Sequence, residues 1–417
     1  MKIYLLLSLL VLETFLFKIF GQEVLEHYPP DHIKTIQFYG KETLRNFPVV
    51  SVGEIMTLEF DDLLGDESDY YYRIKHFNWD WTPSSLFQNE FLDGFDNLRI
   101  DNYRTSFNTL QSYTHFTLAI PNENVQFKIS GNYMLEIYTA DDTLAFSRRF
   151  CIYEPSATVQ VAVYRPQNLD RFYTHQSIHF KITPQMETFR NPDKNIFVTL
   201  LQNDQWDSKI TGLTPQYYQG ASLEYRYEYP AQFEGGNEYF FFDSKDLRVT
   251  SSNITFTQKK DLYETYLKVD IPRSMSEYSF APDINGAFEI RNIMRPGDSD
   301  IEADYSLVYF SLASNFNLEN DQIYVYGGFN NYQLSEYNAM YFNPALGLYE
   351  SVILLKQGFY NYKYVVKKEG GLYKNEISGS FALTENNYLV LVYYRAIGTQ
   401  FDALVGVGVA NSFELKN

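Results

Sequence analysis

The sequence predicts an all-β protein made of tandem immunoglobulin-like β-sandwich domains, and three observations support this fold class. Aromatic residues make up 18 % of the chain, with 37 Tyr and 34 Phe against 3 Trp, and Tyr and Phe favour strands. Apolar residues recur with a period of two in many short segments, such as Val159, Val161 and Val163, whereas long helical periodicity is lacking. Turn residues, such as the pair Gly235 and Gly236, separate these segments, which is typical of sandwiches and barrels.

The first residues have the composition of an export signal. Lys2 precedes an apolar run from Ile3 to Leu12, which matches the core of a signal peptide and is too short to cross a bilayer. Small Gly21 is the expected cleavage point, so we predict a signal peptide over residues 1–21. A buried N-terminal strand is the alternative. No later segment reaches the apolar length of a transmembrane helix.

Charge and cysteine content restrict the partners and the compartment. The chain has 34 Lys and Arg against 52 Asp and Glu, a formal net charge of −18. A protein this acidic is repelled by phosphate groups, so nucleic acid and anionic membrane surfaces are poor partners. Cys151 is the only cysteine and cannot form an intrachain disulfide. An exported chain of this size without disulfides favours the bacterial periplasm.

Two turn-rich stretches, residues 154–156 and 296–300, divide the chain into three predicted domains. Residues 22–154 form an N-terminal β domain with a long aromatic-rich insertion. Residues 155–296 form a central β-sandwich, and residues 297–417 form a C-terminal immunoglobulin-like sandwich. Each segment has the size of an ordinary domain.

The aromatic-rich insertion, residues 70–121, contains two Trp and two His but no recognisable catalytic motif. No nucleophile elbow surrounds Ser84, and buried polar residues usually serve structure. His175 and His179 lack a third metal ligand nearby in sequence. Asp298, Asp300 and Glu302 are spaced like calcium ligands but lack the required Gly and the later Glu. We therefore predict no catalytic, cofactor-binding or metal residue.

A second acidic cluster precedes the aromatic-rich insertion. It contains Asp61, Asp62, Asp66, Glu67 and Asp69. Charged side chains so close together in sequence are most simply explained by a solvated loop.

The C-terminal segment has the strand and turn order of early-set immunoglobulin-like domains, including glycogen-binding modules. Residues 323–332, 340–350 and 356–366 carry this order. Those modules place a Trp after an Asn to stack on sugar, and here Tyr332 follows Asn331. Tyr332 is therefore a candidate carbohydrate contact, and a periplasmic or surface glycan-binding protein is the alternative function.

Short motifs run through the whole mature chain, starting at residues 72–81 (YRIKHFNWDW) and ending near residues 393–395. By these motifs the sequence resembles the plug protein family of the bacterial type IX secretion system, found in the Bacteroidota. The motif residues are typical of core and turn positions and are expected to be structural. They include His76, Trp79, Asp80, Trp81, Pro83, Ser84, His115, Gly131, Asn132, Gly236, Asn237, Asp283, Asn285, Gly286 and Gly358.

The resemblance implies a function that composition and spacing do not. It implies a non-enzymatic periplasmic protein, without cofactor, that docks on the periplasmic mouth of a giant outer-membrane β-barrel translocon. There it would plug the pore when no substrate is crossing. The protein would associate peripherally with the outer membrane and would be a monomer within a larger complex.

Overall fold

A computed structural model describes residues 23–40, 47–95, 97–186, 188–294, 297–313 and 321–416. The predicted signal peptide, including its cleavage point near Gly21, lies outside these residues. Strands account for 49 % of the structure and helices for 6 %, which confirms the predicted class of tandem β-sandwiches. Within the described ranges, no helix has the length and apolar character needed to cross a membrane.

The first sandwich contains eleven strands and one short helix. These are β1 (Ile33–Gly40), β2 (Val49–Ser51), β3 (Met56–Asp62), β4 (Tyr70–Phe77), α1 (Gln88–Phe91), β5 (Leu92–Gly94), β6 (Leu98–Arg99), β7 (Tyr103–Thr105), β8 (Thr114–Ile120), β9 (Val125–Phe127), β10 (Gly131–Thr139) and β11 (Leu144–Tyr153). One sheet has the order β1-β3-β8-β7 and the other the order β2-β11-β10-β4-β6. Phe60 contacts Phe116 within its sheet and Phe146 on the opposite sheet, so alternating apolar residues fill the core.

The second sandwich begins directly after the first. It contains β12 (Ala157–Tyr164), β13 (His175–Pro184), α2 (Pro192–Asn195), β14 (Ile196–Gln202), β15 (Gln205–Ile210), β16 (Tyr217–Gln219), β17 (Ser222–Tyr225) and β18 (Gln232–Glu234). One of its sheets has the order β12-β13-β17-β16, with β18 also paired to β13. Ile178, Phe180 and Ile182 alternate inward from β13.

The third sandwich contains the next ten strands. These are β19 (Phe240–Asp243), β20 (Ile254–Lys259), β21 (Tyr263–Leu267), β22 (Phe288–Ile290), α3 (Ser299–Glu302), β23 (Tyr305–Ala313), β24 (Gln322–Tyr326), β25 (Tyr341–Asn343), β26 (Leu348–Lys356), β27 (Gly358–Lys368) and β28 (Gly371–Tyr373), with short 3₁₀ turns at Gly328–Asn330 and Glu336–Asn338. One sheet has the order β20-β21-β23-β26-β25 and the other is assembled around β27. Phe242, Phe310 and Tyr362 pack ring against ring between them.

The last hairpin, β29 (Asn387–Tyr394) and β30 (Ala403–Asn411), returns to the second sandwich. It is followed by a 3₁₀ turn at Ser412–Glu414. β29 pairs antiparallel with β14, and the resulting sheet has the order β15-β14-β29-β30. Val390 and Val392 face the same core as Val198 and Ile178. The second sandwich therefore takes one of its two sheets partly from the end of the chain.

Strand pairing does not follow the predicted limit between residues 296 and 297. Strands β19 to β22 precede that limit but belong to the third sandwich, while β29 and β30 follow it but belong to the second. The turn-rich stretch near Gly297 connects β22 to α3 inside the third sandwich. A polar turn looks the same in sequence whether it joins two strands or two domains, so composition misplaced this limit.

Candidate functional site

The three sandwiches meet pairwise along three buried seams, and many of the family-motif residues lie on them. We call the contact between the first and second sandwiches the first seam. The contact between the first and third sandwiches is the second seam, and that between the second and third is the third seam. The chemistry of each seam determines how firmly the sandwiches are held together.

The first seam is an apolar core. The rings of Trp81 and Trp206 meet edge to face with centroids 5.0 Å apart, and Trp79 stacks on Phe197 at 4.9 Å. The guanidinium of Arg149 lies 4.4 Å from the Trp81 ring centre. The buried residues that form this core are Phe47, Phe77, Trp81, Met134, Cys151, Leu201, Leu389, Leu391, Tyr393 and Leu404. Because this contact resembles a domain interior, the two sandwiches are expected to move as one body.

A tight turn after β4 places Trp81 in the first seam. The Asp80 carboxylate accepts hydrogen bonds from the Thr82 amide at 3.1 Å and the Thr82 hydroxyl at 2.7 Å. The Asn78 amide donates to the Thr82 carbonyl at 2.9 Å, and Trp81 itself has a left-handed φ of 64°. A bulky residue in that region costs about 1–3 kcal/mol. Its surroundings must offset this cost, which is consistent with its 1 % exposure.

Asn132 connects that turn to the second sandwich. Its Oδ1 accepts from the Tyr393 hydroxyl at 2.7 Å and from the Cys151 thiol at 3.0 Å. Its Nδ2 donates to the carbonyls of Asn78 and Trp79. Burial raises the pKa of the Cys151 thiol well above its usual range, so this cysteine stays a neutral donor.

The second seam is polar and contains a fully buried charge network. Asp61 is 0 % exposed. Its Oδ2 accepts from Lys356 Nζ and from the Tyr305 hydroxyl, each at 2.7 Å, and its Oδ1 lies 2.7 Å from His115 Nδ1. Burial alone would raise the pKa of Asp61, but Lys356 and His115 together hold it below its usual range. The carboxylate is therefore ionised and fully partnered.

Other polar contacts surround this network. The Tyr113 hydroxyl donates to the Ala303 carbonyl at 2.8 Å. The Asp304 carboxylate accepts from the Leu110 amide at 2.7 Å, and Arg104 pairs with Asp298. These bonds join the connection before β8 to the segment around α3.

The third seam includes hydrogen bonds in which loops of the two sandwiches take part. Gln176 donates to the carbonyls of Ala382 and Thr384 at 2.7 and 2.8 Å. Asn203 donates to the Asn386 side chain at 2.8 Å. Several motif residues lie in these loops, including Gly236, Asn237, Asp283, Asn285 and Gly286.

The remaining motif residues stabilise local turns. His76 packs among the rings of Phe91, Tyr133 and Phe401, and burial lowers its pKa to about 4. A Cβ on Gly131 would lie 2.4 Å from the His76 ring. Pro83 forms a bridge with Phe77, and the Ser84 amide donates to the His76 carbonyl. Gly358 allows β27 to approach β22, because a Cβ there would lie 2.3 Å from the Glu289 carbonyl.

A large cavity of about 1130 Å³ lies where the three sandwiches meet. Its wall includes Glu59, Trp206 and Tyr332, one from each sandwich. Tyr332 is half-buried, its ring centroid lies 5.3 Å from that of Tyr326, and its hydroxyl donates to the Asn285 carbonyl at 3.4 Å. Tyr332 therefore forms part of the cavity wall rather than an open stacking platform.

Of the buried charge network in the second seam, the sequence identified only His115, as a family-motif residue, and it missed the burial of the acidic cluster. Asp61 and Asp62 were expected in a solvated loop, but both are 0 % exposed and end strand β3. The strand alternation of Met56, Leu58 and Phe60 runs directly into them, and this was the available signal. The buried partner Lys356 lies 295 residues further along the chain, where no local pattern identifies it.

Comparisons with known proteins agree with this architecture. Residues 33–154, which span the first sandwich, match the model of the type 9 secretion system plug protein first domain. A crystal structure of a hypothetical protein from Parabacteroides merdae ATCC 43184 is similar, with a TM-score of 0.89 and 30 % identity. The similarity covers 94 % of this chain and 100 % of that one. A comparison with curated proteins gives no match. The resemblance predicted from the motifs is confirmed, because residues 33–154 contain the first domain of the type IX secretion system plug protein family.

Proposed function

We propose that the protein is a non-enzymatic periplasmic plug. It docks on the periplasmic mouth of the large outer-membrane β-barrel translocon of type IX secretion and closes the pore while no substrate is crossing. The match of residues 33–154 to the plug protein first domain supports a role in type IX secretion and a place in the cell envelope. The docking and the closure are the proposed part.

The observation that carries the proposal is the joining of three sandwiches by buried contacts. A wide barrel leaves an aqueous channel, so an object that closes it must keep its shape. Domains joined by small polar contacts move relative to one another. Here the Trp81 core and the buried Asp61 network hold the first sandwich against both of the others. A body that keeps its shape in this way is suited to closing a wide pore.

The composition suits a contact that can be released. The net charge is −18, and the large exposed side chains include Tyr173, Tyr217 and Tyr229. Tyr offers contact area together with a polar group. An interface of moderate size with a polar rim can dissociate, unlike a permanent apolar one.

A pull-down of the C-terminally tagged protein from outer membranes in mild detergent tests the docking. We expect a very large β-barrel protein in near-stoichiometric amount by mass spectrometry. A Tyr332→Ala variant should recover the same barrel, since its ring lies in the cavity wall. Recovery of only soluble periplasmic proteins or glycans, with the tagged protein folded and exported, would contradict the proposal and favour glycan binding.

Permeability of the outer membrane tests the closure. A strain lacking the protein should become more sensitive to a hydrophilic antibiotic too large for ordinary porins, and the wild-type gene should reverse this. Equal sensitivity with and without the protein, while the barrel is present in normal amount, would show that the protein does not close the pore.

A further inference from the structure

We propose that Glu59, His115 and Asp300 bind a divalent transition-metal ion, with zinc as the best match, at the second seam. The ligand atoms that these three side chains offer lie within 4.8 Å of one another. The site goes beyond the plug function, because it does not depend on what the protein docks against.

Strand register brings two of the three ligands together. His115 on β8 lies opposite Asp61 on β3, and Glu59 lies two residues before Asp61. Glu59 and His115 therefore share one face of the sheet as diagonal neighbours. Asp300 reaches them from α3 of the third sandwich. A bound ion would thus be held by two sandwiches at once.

The Nε2 atom of His115 is available to a ligand from outside the protein. It is 4 % exposed, and its Nε2 is buried without a hydrogen-bond partner among the described residues. Asp61 occupies Nδ1 at 2.7 Å, so Nε2 is the nitrogen left for a metal. A carboxylate that fixes one ring nitrogen of a histidine while the other nitrogen binds the metal is common in metal sites.

The local charges also favour a cation. Lys356 pairs with Asp61, and Arg104 pairs with Asp298. Arg104 is also 3.0 Å from one oxygen of Asp300. Four carboxylates, those of Glu59, Asp61, Asp298 and Asp300, therefore share two cations, and a divalent ion would offset the excess of acidic groups.

The ligand set indicates which ion would bind. One imidazole nitrogen and two carboxylates suit zinc, whose bonds to such atoms are about 2.0–2.2 Å. Ligand atoms in a tetrahedral zinc site lie roughly 3.4 Å apart, so the side chains would need to move inward slightly. Glu59 and Asp300 also line the central cavity, which leaves a coordination position for water.

Zinc titration of the chelator-treated mature protein tests the site. We expect one equivalent of Zn²⁺ by competition with a chromophoric chelator, and a rise in Tm on binding because the metal stabilises the folded state. Glu59→Gln and Asp300→Asn should each weaken binding by about tenfold or more. Asp298→Asn is the matched control, because Asp298 also pairs with Arg104 but offers no ligand to the metal. The zinc affinity of this variant should stay within about twofold of wild type.

Cobalt substitution gives a second readout that stability does not influence. Co²⁺ in the wild-type site should show visible d–d absorption of a four- or five-coordinate ion, and Glu59→Gln should abolish it. The proposal is overturned if the folded wild type binds no zinc. It is also overturned if Glu59→Gln and Asp300→Asn bind zinc as tightly as the Asp298→Asn control.

Discussion

Asp61 shows how a single buried charge connects distant parts of this chain. It is ionised inside the protein because Lys356, Tyr305 and His115 supply three polar contacts at 2.7 Å. Replacing such a network with apolar residues can be neutral, but removing one partner leaves a charge without compensation. The network therefore makes the relative position of the first and third sandwiches specific.

Loss of the buried cation should destabilise the protein strongly. Lys356→Met leaves Asp61 buried without its charged partner and should lower the free energy of unfolding by about 3 kcal/mol or more. Lys75→Met is the control, because the Lys75 side chain is 54 % exposed in its pair with Glu136, and it should cost under about 1 kcal/mol. Urea denaturation measures both. Equal losses of unfolding free energy in the two variants would mean that the buried ion pair stabilises the protein no more than a surface pair does.

Asp270 gives stability a defined pH dependence. Burial raises its pKa to about 6, although the hydroxyls of Tyr362 and Tyr364 donate to it. The unfolded value is about 3.9, so the folded state binds more protons between these values. The stability from protonated Asp270 is fully present below about pH 4 and is lost as the pH rises through about 6.

Asp270→Asn tests this pH dependence, since Asn can accept the same hydroxyl hydrogen bonds without a charge. Relative to wild type, the variant should gain about 1–3 kcal/mol at pH 7.5 and about a third of that gain at pH 4.5, where much of the penalty for ionising Asp270 has not yet developed. Urea denaturation at the two pH values measures the difference. A gain that is the same at both would show that Asp270 does not titrate in this range.

At the scale of elements, β30 fits against β12 because two of its residues have no side chain. A Cβ on Gly408 would lie 2.6 Å from methyl groups of both Val159 and Val161. The two strands therefore need glycine for close face-to-face packing, and β-branched valines have little freedom to move away.

A side chain on Gly408 should separate these elements. Gly408→Val inserts three carbons into that contact and should lower the free energy of unfolding by about 1–3 kcal/mol or more. Val409→Ala, whose side chain is 59 % exposed on the same strand, should change it by under about 0.5 kcal/mol. Thermal denaturation followed by circular dichroism compares them. A Gly408→Val protein as stable as Val409→Ala would contradict the packing described here.

Sequence predicted the strands better than their partners. Alternation in β12 and β13 is local, so it identified an all-β chain of tandem sandwiches without any knowledge of pairing. The pairing of β14 with β29 joins residues such as Val198 and Val392, and nothing local in either strand specifies that. The burial of Asp61 was missed for the same reason, since it depends on distant residues.

At the scale of the whole molecule, the first seam is expected to make the sandwiches unfold together. Scanning calorimetry of the wild type should show one cooperative transition, because an apolar core spans two sandwiches. Trp81→Ala removes the largest side chain of that core at a cost of about 3–5 kcal/mol. It should split the transition or lower its midpoint.

The matched control for Trp81→Ala is a substitution at an exposed aromatic residue of the same sandwich. Phe87 is 77 % exposed, and Phe87→Ala should leave the single transition in place. Two separate transitions already present in the wild type would mean that the sandwiches unfold independently and that the first seam does not couple them.

The return of the last hairpin to the second sandwich determines the order in which a growing chain can fold. A chain emerges N-terminal end first, so the first sandwich can complete its core once β11 is available. The second sandwich must wait until β29 and β30 arrive, after the whole third sandwich. Until then β14 has an unpaired edge that can bind other strands. A chain that lacks its last thirty or so residues therefore has an incomplete second core and is open to proteases and chaperones.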